Sequence, residues 1–456
     1  MSTQLFSSTQ HFPPGPKGHL IFGHLSEINR APLDFFTQCA REYGDFVRLR
    51  FGPFPVYLLN HPDLVKEVLV TQSPKFIKSS AYRRGLRVLG NGLLTSDGNF
   101  WKRQRRLVQP AFHHEVISSC AELMVEYTNQ LIGKWQDGEV CDIHHEMMKL
   151  TAMIAAKTFF DFDIAGETEG LQDALHTVTD FNARLLNQYL LPTWVPTFGN
   201  LSYQRAINQL DTIIYRIIDQ RRAGINNKAD LLSLLLQLKD EEDGTQMTNK
   251  QLRDEVMTLF LAGHATTANA LTWMWLLLSQ HPNVVEKLQQ ELKTVLNGQT
   301  PTFADFPKLR YATQIIQESM RLYPPVWGIS REVLQDCEIG GYHLRAGATV
   351  FLNQWVIQRD SRFFDNPEKF DPDRWTDKQL DRLTNYAYFP FGGGQRLCIG
   401  KDFAMMETVL LLATIASKFR LILQSDHPVV LHASLSLRPK HGIKMLVAQQ
   451  QNTVKV

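Results

Sequence analysis

The sequence predicts a mainly α-helical chain with a small β-sheet region, built as one large domain. Helical patterns run through most of the 456 residues, and patterns typical of strands are confined to two places. No linker rich in glycine, serine or proline divides the chain, and no internal repeat occurs. Apolar residues make up 44% of the sequence and charged residues 21%, which is typical of a globular chain with a large core and excludes disorder.

The longest predicted helix begins after Thr248 and ends before His281-Pro282. Thr248 and Gln251 form the T-x-x-Q pattern of a capping box, in which each side chain satisfies a backbone N–H at the helix start. This helix spans about 30 residues, or ~45 Å, and apolar side chains occur on all of its faces. We therefore expect a central helix surrounded by others.

Two regions are predicted to form strands. Phe46–Phe51 and Val56–Leu59 flank the turn formers Gly52-Pro53-Phe54-Pro55, as in a β-hairpin. The second region, Ile339–Phe351, is interrupted by the glycines of Gly340-Gly341 and Ala346-Gly347, which favour turns between short strands.

The charge balance and several missing motifs exclude whole classes of function. The formal net charge is +2, which is too small for general attraction to nucleic acid or to an anionic membrane. The sequence contains no glycine-rich phosphate-binding motif of the dinucleotide or P-loop type. His114-Glu115 and His145-Glu146 lack the second histidine of a zinc protease motif.

Five cysteines are scattered along the chain, at positions Cys39, Cys120, Cys141, Cys337 and Cys398. They form no C-x-x-C pair, so neither a disulfide framework nor a structural zinc site is expected. Their odd number in a long chain is typical of reduced cytosolic thiols. We expect four of them to be packing residues and Cys398 to be different.

The N-terminal residues have no targeting pattern. Met1–Gln10 lacks the basic and apolar regions of a signal peptide, and Val256–Leu278 carries too many polar residues for a membrane span. The sequence predicts a mobile terminus over residues 1–11, followed by one domain over residues 12–456 in the cytoplasm. The proline-rich segment His11–Lys17 forms a stiff, extended start to that domain.

The most informative segment is the glycine-rich turn around Cys398. Four glycines, Gly392, Gly393, Gly394 and Gly400, allow the backbone to curl closely about the sulfur. Cys398 also precedes a predicted apolar helix, whose N-terminus stabilises a thiolate. Phe391 shields this sulfur from water, and Arg396 supplies a nearby cation. This environment is suited to a thiolate that binds a metal centre.

This loop resembles that of the cytochrome P-450 family of haem-thiolate enzymes. The family pattern F-x-x-G-x-R-x-C-x-G is filled at every fixed position, by Phe391, Gly394, Arg396, Cys398 and Gly400. Two further motifs occur in the family's order: Trp101-x-x-x-Arg105, and Glu318-x-x-Arg321 followed by Arg374 within Phe370–Trp375. The resemblance extends from about residue 12 to about residue 445.

The resemblance implies the cytochrome P450 fold, with a haem between the long distal helix and the proximal helix that follows the cysteine loop. It implies haem b with Cys398 as the iron ligand, and propionates held by Trp101, Arg105, Arg331 and Arg396. Glu318, Arg321 and Arg374 would form a structural ion network. The reaction expected of such an enzyme is insertion of one oxygen atom of O2 into a hydrophobic substrate, as hydroxylation or epoxidation.

The family's distal motif corresponds to Ala262–Thr267 on the long helix. Gly263 would let the backbone approach the haem, and Thr266 would hydrogen-bond the backbone or a water. The family's acid before this threonine is replaced by Ala265, so proton delivery would use Thr266 with water, His264 or the substrate. His264 lies about 200° around the helix from Thr266 and is expected to turn away.

The replacement at Ala265 leaves alternative functions open. One is a P450 that uses peroxide, or an isomerase or dehydratase that accepts an already oxygenated substrate. Another, from a different class, is a haem-binding sensor or carrier without turnover.

Electrons are expected from a separate partner, a ferredoxin or flavodoxin with its reductase or a flavoprotein. Arg103, Arg106 and Lys401 are candidates for a basic docking face, and we expect a monomer without a transmembrane anchor, as in bacterial members of the family.

The resemblance also implies four pocket-wall segments, Ser79–Thr95, Phe181–Pro196, Val326–Ser330 and Ala433–Leu437. Their apolar residues favour a hydrophobic substrate such as a fatty acid, a terpenoid or a steroid-like molecule. A fatty acid would require a carboxylate anchor, for which the candidates are Arg83, Arg84 and Arg87. Leu190–Val195 is expected to cover the pocket or to touch a membrane surface.

Overall fold

The chain forms two compact units in a computed structural model. The residues described are 12–162, 173–175, 177–181, 195–224, 230–240, 244–377 and 383–450. The first unit consists of Met1–Ser80, Gly328–Pro367 and Leu383–Leu397, and the second of Ala81–Trp327, Glu368–Arg382 and Cys398–Val456. A single domain over residues 12–456 stays a prediction, and the predicted mobile terminus, residues 1–11, lies outside the described residues.

The helices and strands are numbered in chain order. The α-helices are α1 (Leu25–Arg30), α2 (Pro32–Tyr43), α3 (Pro62–Lys66), α4 (Ser80–Gly85), α5 (Gly98–Val108), α6 (His114–Ser119), α7 (Ala121–Ile132), α8 (Ile143–Phe160), α9 (Phe198–Arg222), α10 (Leu231–Gln237), α11 (Asn249–Gln280), α12 (Pro282–Leu296), α13 (Arg310–Leu322), α14 (Gln354–Ile357) and α15 (Lys401–Ala416). The strands are β1 (Phe46–Phe51), β2 (Phe54–Leu59), β3 (Phe76–Lys78), β4 (Val140–Asp142), β5 (Ile329–Val333), β6 (Cys337–Ile339), β7 (Tyr342–Leu344), β8 (Thr349–Leu352), β9 (Phe419–Leu423), β10 (Leu431–Ala433), β11 (Leu437–Pro439) and β12 (Lys444–Gln449).

The first unit is built on a five-stranded sheet with the order β1-β2-β8-β5-β3. The predicted hairpin of β1 and β2 is present, and β2 begins at Phe54, two residues earlier than expected. Pro55 is tolerated there because pairing of β2 with β8 starts only at Val56, so the missing N–H removes no bond to β8.

The second predicted strand region contains three short strands rather than one continuous extended segment. Strands β6 and β7 pair across Gly340 and Gly341, which have φ angles of +53° and +80°. Two successive positive φ angles are the requirement of the tight hairpin turn, and glycine meets it without steric cost. Strand β8 then joins the main sheet.

The second unit surrounds α11, whose predicted limits are confirmed. Thr248 Oγ1 accepts from the Gln251 N–H at 3.2 Å, and Gln251 Oε1 accepts from the Thr248 N–H at 2.8 Å, which completes the capping box. Helix α11 packs against α8, α9, α13 and α15. Its side chains are buried on all faces over Ala268–Leu278, as expected for a central helix.

Two small sheets complete the second unit, one with the order β4-β12-β9 and the other formed by β10 and β11. None of the helices within the described ranges is long and apolar enough to cross a membrane.

Candidate active site

The turn that leads to Cys398 needs glycine at defined positions of the first unit. Gly392 and Gly394 have φ angles of +74° and +62°, which side chains with a Cβ rarely adopt. A Cβ at Gly394 would also overlap the carbonyl oxygen of Leu69. The turn is therefore pressed against the backbone of the first unit, and larger residues are excluded.

Cys398 opens the last segment of the second unit, three residues before α15 begins. Gly400 is the N-cap residue of α15, and its carbonyl accepts from the Ala404 N–H at 2.8 Å. The Cys398 sulfur thus lies at the N-terminal end of a 16-residue helix, where unpaired N–H groups and the helix dipole favour an anion.

The other four cysteines have the properties of packing thiols. Burial raises the pKa of Cys39 and Cys141 to about 12 and that of Cys120 to about 11, and it also raises the pKa of Cys337. Cys398 is the one cysteine whose side chain is exposed. Burial therefore separates Cys398 from the other four thiols, but the shielding of its sulfur by Phe391 that the sequence predicted is not seen, because the side chain is exposed.

Arg105 and Trp101 lie one turn apart on α5 of the second unit. Trp101 is buried, and Arg105 is partly buried. Burial lowers the pKa of Arg105, whereas the negative charge of a Cys398 thiolate raises it. The structure therefore brings the guanidinium of the proposed propionate-binding motif into electrostatic range of the proposed iron ligand.

In the first unit, Arg331 lies on β5 and is 7% exposed. A Cβ at Gly392 would lie 3.4 Å from Cδ1 of Ile329 on the same strand, so β5 runs beside the turn that carries Phe391 and Arg396. The cations Arg331 and Arg396 thus belong to adjoining elements of one unit. In the second unit, a thiol at a helix start within electrostatic range of the Arg105 guanidinium fits an anionic haem with a thiolate ligand.

Two threonines of the distal motif on α11 donate hydrogen bonds to consecutive backbone carbonyls. Thr266 Oγ1 donates to Ala262 O at 2.7 Å, and Thr267 Oγ1 donates to Gly263 O at 2.9 Å. The Cβ position of Gly263 faces Phe159 of α8 at 3.1 Å. A larger residue there would press on the Phe159 ring of α8, a close contact that the sequence did not reveal.

His264 is turned away from Thr266, as expected. Its Nδ1 donates to Phe260 O at 2.9 Å, and its backbone carbonyl accepts from Thr151 of α8 at 3.0 Å. The ring is 2% exposed, and burial lowers its pKa. A neutral histidine that hydrogen-bonds its own helix is poorly placed to deliver protons.

Glu318, Arg321 and Arg374 meet inside the second unit. Arg321 donates to both carboxylate oxygens of Glu318 at 2.8 Å, and Arg374 Nε lies 3.4 Å from Glu318 Oε1. The Trp375 indole N–H and the Asp371 backbone N–H also donate to this carboxylate, contacts that the sequence did not predict. Every lone pair of a fully buried anion is thereby directed to a donor.

The wall segment over residues 88–93 is tied to the start of α11. Arg253 Nη1 donates to Val88 O at 2.6 Å, Asp254 Oδ2 accepts from the Asn91 N–H at 3.0 Å, and Glu255 Oε2 accepts from the Leu93 N–H at 3.0 Å. Three consecutive ionisable side chains therefore hold the main chain of this segment.

Two other wall segments of the second unit are joined to each other. Trp327 Nε1 donates to Ser434 O at 2.7 Å, and the Leu437 N–H donates to Pro325 O at 2.8 Å. In the first unit, the hydroxyls of Ser79 and Ser330 are 2.7 Å apart. Of the fourth segment, Phe181–Pro196, residues 182–194 lie outside the described part of the chain, as does most of Leu190–Val195.

Two cations of the expected docking face have internal partners. Arg103 Nε lies 2.7 Å from Asp240 Oδ2, and Arg106 Nη2 lies 3.2 Å from Asp240 Oδ1. Asp240 is nearly buried, so these guanidiniums stabilise the fold of the second unit. Lys401, at the first position of α15, is exposed.

Glu255 and Glu407 are buried acids that the sequence analysis did not assign to the site. Each is 1% exposed, and each has one carboxyl oxygen without a hydrogen-bond partner among the described residues. Burial raises the pKa of Glu255 to about 8 and that of Glu407 well above its usual range. For Glu407 the available signal was a charged residue inside an otherwise apolar helical stretch.

Comparison with known proteins identifies the family of this chain. The family model of Cytochrome P450 matches residues 13–447. The chain is 38% identical to cyclooctatin synthase of Streptomyces melanosporofaciens, covering 92% of this chain and 93% of that protein. It is 35% identical to cyclooctat-9-en-7-ol 5-monooxygenase of the same organism (88% and 87% covered), and 34% identical to pentalenene oxygenase of Streptomyces avermitilis (90% and 91% covered).

The crystal structure of the cytochrome P450DA heme domain superposes with a TM-score of 0.89 at 28% sequence identity, covering 97% of this chain and 98% of that one. The chain belongs to the cytochrome P450 family. It is a cytochrome P450 monooxygenase with the mainly helical P450 fold, and its family implies a haem-iron cofactor, O2, a hydrophobic substrate and a separate redox partner. The non-catalytic sensor or carrier is thereby set aside.

Proposed function

We propose that the enzyme inserts one oxygen atom into a neutral terpenoid. The observation that carries this proposal is the similarity to cyclooctat-9-en-7-ol 5-monooxygenase and pentalenene oxygenase, which are terpenoid-oxidising enzymes. The wall residues Val88, Leu93 and Leu437 are buried and apolar, which favours a hydrocarbon skeleton.

The carboxylate anchor of a fatty acid receives less support. Arg83 Nη1 lies 3.5 Å from Asp97 Oδ2, so its charge is partly compensated within the chain. Arg87 is exposed, and the side chain of Arg84 lies outside the described residues. A buried cation that awaits a carboxylate is not found among the described residues of Ser79–Thr95.

We further propose that the cofactor is haem b and that Cys398 binds its iron. Trp101 and Arg105 of the second unit, and Arg331 and Arg396 of the first, supply N–H donors for the propionates. A thiolate-bound haem supplies the oxygen-activating chemistry of the family. The start of α15 favours the anionic form of the sulfur.

The distal threonine is proposed to hold a proton for the reaction. Thr266 Oγ1 bonds Ala262 O in the structure, and release of that carbonyl frees the hydroxyl to hydrogen-bond a water or a substrate hydroxyl. Ala265 provides no acid beside it. This arrangement favours a route through ordered water or the substrate over the peroxide-dependent alternative, because a threonine that can orient water is present.

The thiolate ligand is tested by the absorption spectrum of the reduced protein with carbon monoxide. The wild type and Cys141→Ser, a change at a half-buried packing thiol, are expected to show the thiolate-type band. Cys398→Ser is expected to lose it. A thiolate-type band that persists in Cys398→Ser would refute the assignment.

The substrate class is tested by adding neutral terpenoid alcohols and hydrocarbons, and fatty acids of equal carbon number, to the enzyme with a surrogate reductase. We expect spectral binding and a product one oxygen heavier, labelled from 18O2, with the terpenoids. Turnover confined to the fatty acids would show that the proposal is wrong.

A further inference from the structure

The turn between β10 and β11 carries two serine hydroxyls with different partners. The two strands pair antiparallel and are joined by residues 434–436. Ser434 Oγ donates to Ser436 O at 3.1 Å, so its one hydrogen is used inside the turn. Ser436 Oγ instead accepts from Asn269 Nδ2 of α11 at 3.2 Å.

Asn269 is buried, and both ends of its carboxamide are paired. Its Oδ1 atom lies 3.1 Å from Nε2 of His144, near the start of α8. Because an amide oxygen carries no hydrogen, the His144 ring must donate from Nε2. Burial lowers the pKa of His144, so the ring is neutral at pH 7 and this is its single N–H. His144 thereby fixes the direction of the amide and leaves Nδ2 facing Ser436.

This arrangement leaves the hydrogen of the Ser436 hydroxyl available. A serine hydroxyl has one hydrogen and two lone pairs. The Asn269 amide occupies a lone pair, and no described residue accepts the hydrogen. Ser436 is half-buried. A ligand that excludes water from the turn must supply the acceptor, because a buried O–H without one costs free energy.

The main chain of the turn is held at both ends by buried tryptophans. Trp327 Nε1 donates to Ser434 O at 2.7 Å, and Trp273 Nε1 of α11 donates to Leu437 O at 2.9 Å. The Ser436 hydroxyl therefore has a fixed main chain beneath it. Such a group can distinguish ligands by whether they place an oxygen atom at that position.

Asn269 also relates this hydroxyl to the distal motif. It follows Thr266 by three residues on α11, which is about 4.5 Å along the helix, and residues at this spacing share a face. Ser436 is thus attached to the distal helix less than one turn beyond the threonine that we propose to hold a proton.

We propose that Ser436 is a specificity-determining residue whose O–H binds an oxygen atom of the substrate, and that Asn269 and His144 are positioning residues that orient this hydroxyl. The substrate is then an oxygenated terpenoid, an alcohol or a ketone, and not an unsubstituted hydrocarbon. This narrower substrate class rests on the proposed terpenoid function, whereas the role of Ser436 does not.

Spectral titration of the holoenzyme with matched ligands tests the contact. One pair is a terpenoid alcohol and the hydrocarbon of the same skeleton, and the other is a fatty alcohol and the alkane of equal carbon number. The measured quantity is the Kd of the hydrocarbon divided by that of the alcohol. For the terpenoid pair, Ser436→Ala should lower this ratio about five- to tenfold, because one hydrogen bond to the ligand is lost. Ser436→Thr retains a hydroxyl and should restore it.

Ser434→Ala is the matched control, because the Ser434 hydrogen is used inside the turn. Any loosening of the turn in this variant weakens both ligands alike and should leave the ratio unchanged. A ratio that is unchanged for both ligand pairs in Ser436→Ala would overturn the proposal. A ratio that falls only for the fatty pair would support the contact and show that the terpenoid function is wrong.

The orientation of the amide is tested without substrate by 15N NMR of the histidine-labelled holoenzyme in its ferrous carbon monoxide form. The signals of His144, assigned by their loss in His144→Gln, should show the hydrogen on Nε2 at pH 8. A hydrogen on Nδ1 would reverse the Asn269 amide, assign the Ser436 hydrogen to it and contradict the proposal.

The same titration separates positioning by His144 from packing. His144→Gln keeps an N–H donor for Asn269 Oδ1 and should hold the terpenoid ratio within about twofold of the wild type, whereas His144→Leu should lower it about fivefold. Equal ratios in the two variants would show that the ring only fills space.

Discussion

Glu318 and Glu407 are both buried glutamates on helices of the second unit, yet their surroundings are opposite. Glu318 accepts from two guanidiniums, an indole N–H and a backbone N–H. Glu407 has one hydroxyl and an aromatic layer beside it. A charge can be kept in a protein interior where donors surround it, and is otherwise neutralised by a proton. The same residue type thus forms an ion network in one place, whereas in the other burial raises its pKa well above its usual range.

The largest expected effect comes from removing the charge of Glu318. Glu318→Gln leaves Arg321 and Arg374 without their buried counter-ion, and we expect a loss of about 3–5 kcal/mol in the free energy of unfolding. Urea denaturation of the holoenzyme measures this loss. The same substitution at Glu407 should cost less than about 1 kcal/mol at pH 7, because no charge is removed. Glu286→Gln, on the exposed face of α12, is the control. Equal losses of unfolding free energy at Glu318 and Glu407 would show that the surroundings of the two glutamates do not set their contribution to stability.

Glu255 provides an intermediate case, with one backbone donor. Its pKa is raised to about 8 in the folded protein, mainly by burial and further by Asp254, from an ordinary value of 4.5. The folded state then binds more protons than the unfolded state between about pH 4.5 and pH 8, so the wild type loses stability as the pH rises through this window. Glu255→Gln removes that loss. We expect its stability relative to the wild type to increase by about 2–3 kcal/mol from pH 5 to pH 8.5. A difference that is constant with pH would show that Glu255 does not titrate there.

Ala265→Glu adds an acid on α11 that is partly exposed and has neither the ion pairs of Glu318 nor the burial of Glu407. If proton supply limits the oxygen-dependent reaction, this variant should raise coupling about two- to fivefold and reduce peroxide leakage. Ala265→Gln matches the size without the acid and should have no such effect. Identical coupling in the two variants would indicate that proton delivery does not need an acid at this position.

The smallest expected effect concerns a surface charge, where hydration keeps the free-energy cost of ionisation small. Lys401→Glu should slow reduction by an acidic electron donor about two- to threefold at low salt, and the difference should vanish at high salt. Lys293→Glu, an exposed charge reversal on α12, is the matched control. An unchanged rate at low salt would exclude Lys401 from the docking surface.

Local patterns allowed much of the fold to be predicted. The capping box at Thr248 and the proline after His281 gave the limits of α11, and the glycine turn distinguished Cys398 from the other four cysteines, although its exposure was not predicted. These features depend on residues that are adjacent in the chain, where backbone chemistry determines the structure.

Contacts between distant residues were not predictable in this way. Arg103 pairs with Asp240, Gly263 lies against Phe159, and Glu407 interacts with Thr267. Each pair joins residues more than 100 positions apart, and nothing in the local sequence distinguishes a solvated glutamate from one enclosed by a neighbouring helix. Burial, which sets the charge state of these acids, is a property of the assembled chain.

The attachment of residues 88–93 to α11 has a consequence for how the enzyme can change. The hydrogen bonds from this helix reach only main-chain atoms of the segment: Arg253 bonds Val88, Asp254 bonds Asn91, and Glu255 bonds Leu93. Main-chain atoms are the same whatever side chain is present. The path of this wall therefore depends on α11 and on Gly90 and Gly92, where a Cβ would overlap Asp254 and Thr258, and not on the side chains of Val88, Asn91 and Leu93. Those three side chains can be exchanged, in evolution or in a mutant library, to select new substrates while the loop keeps its course.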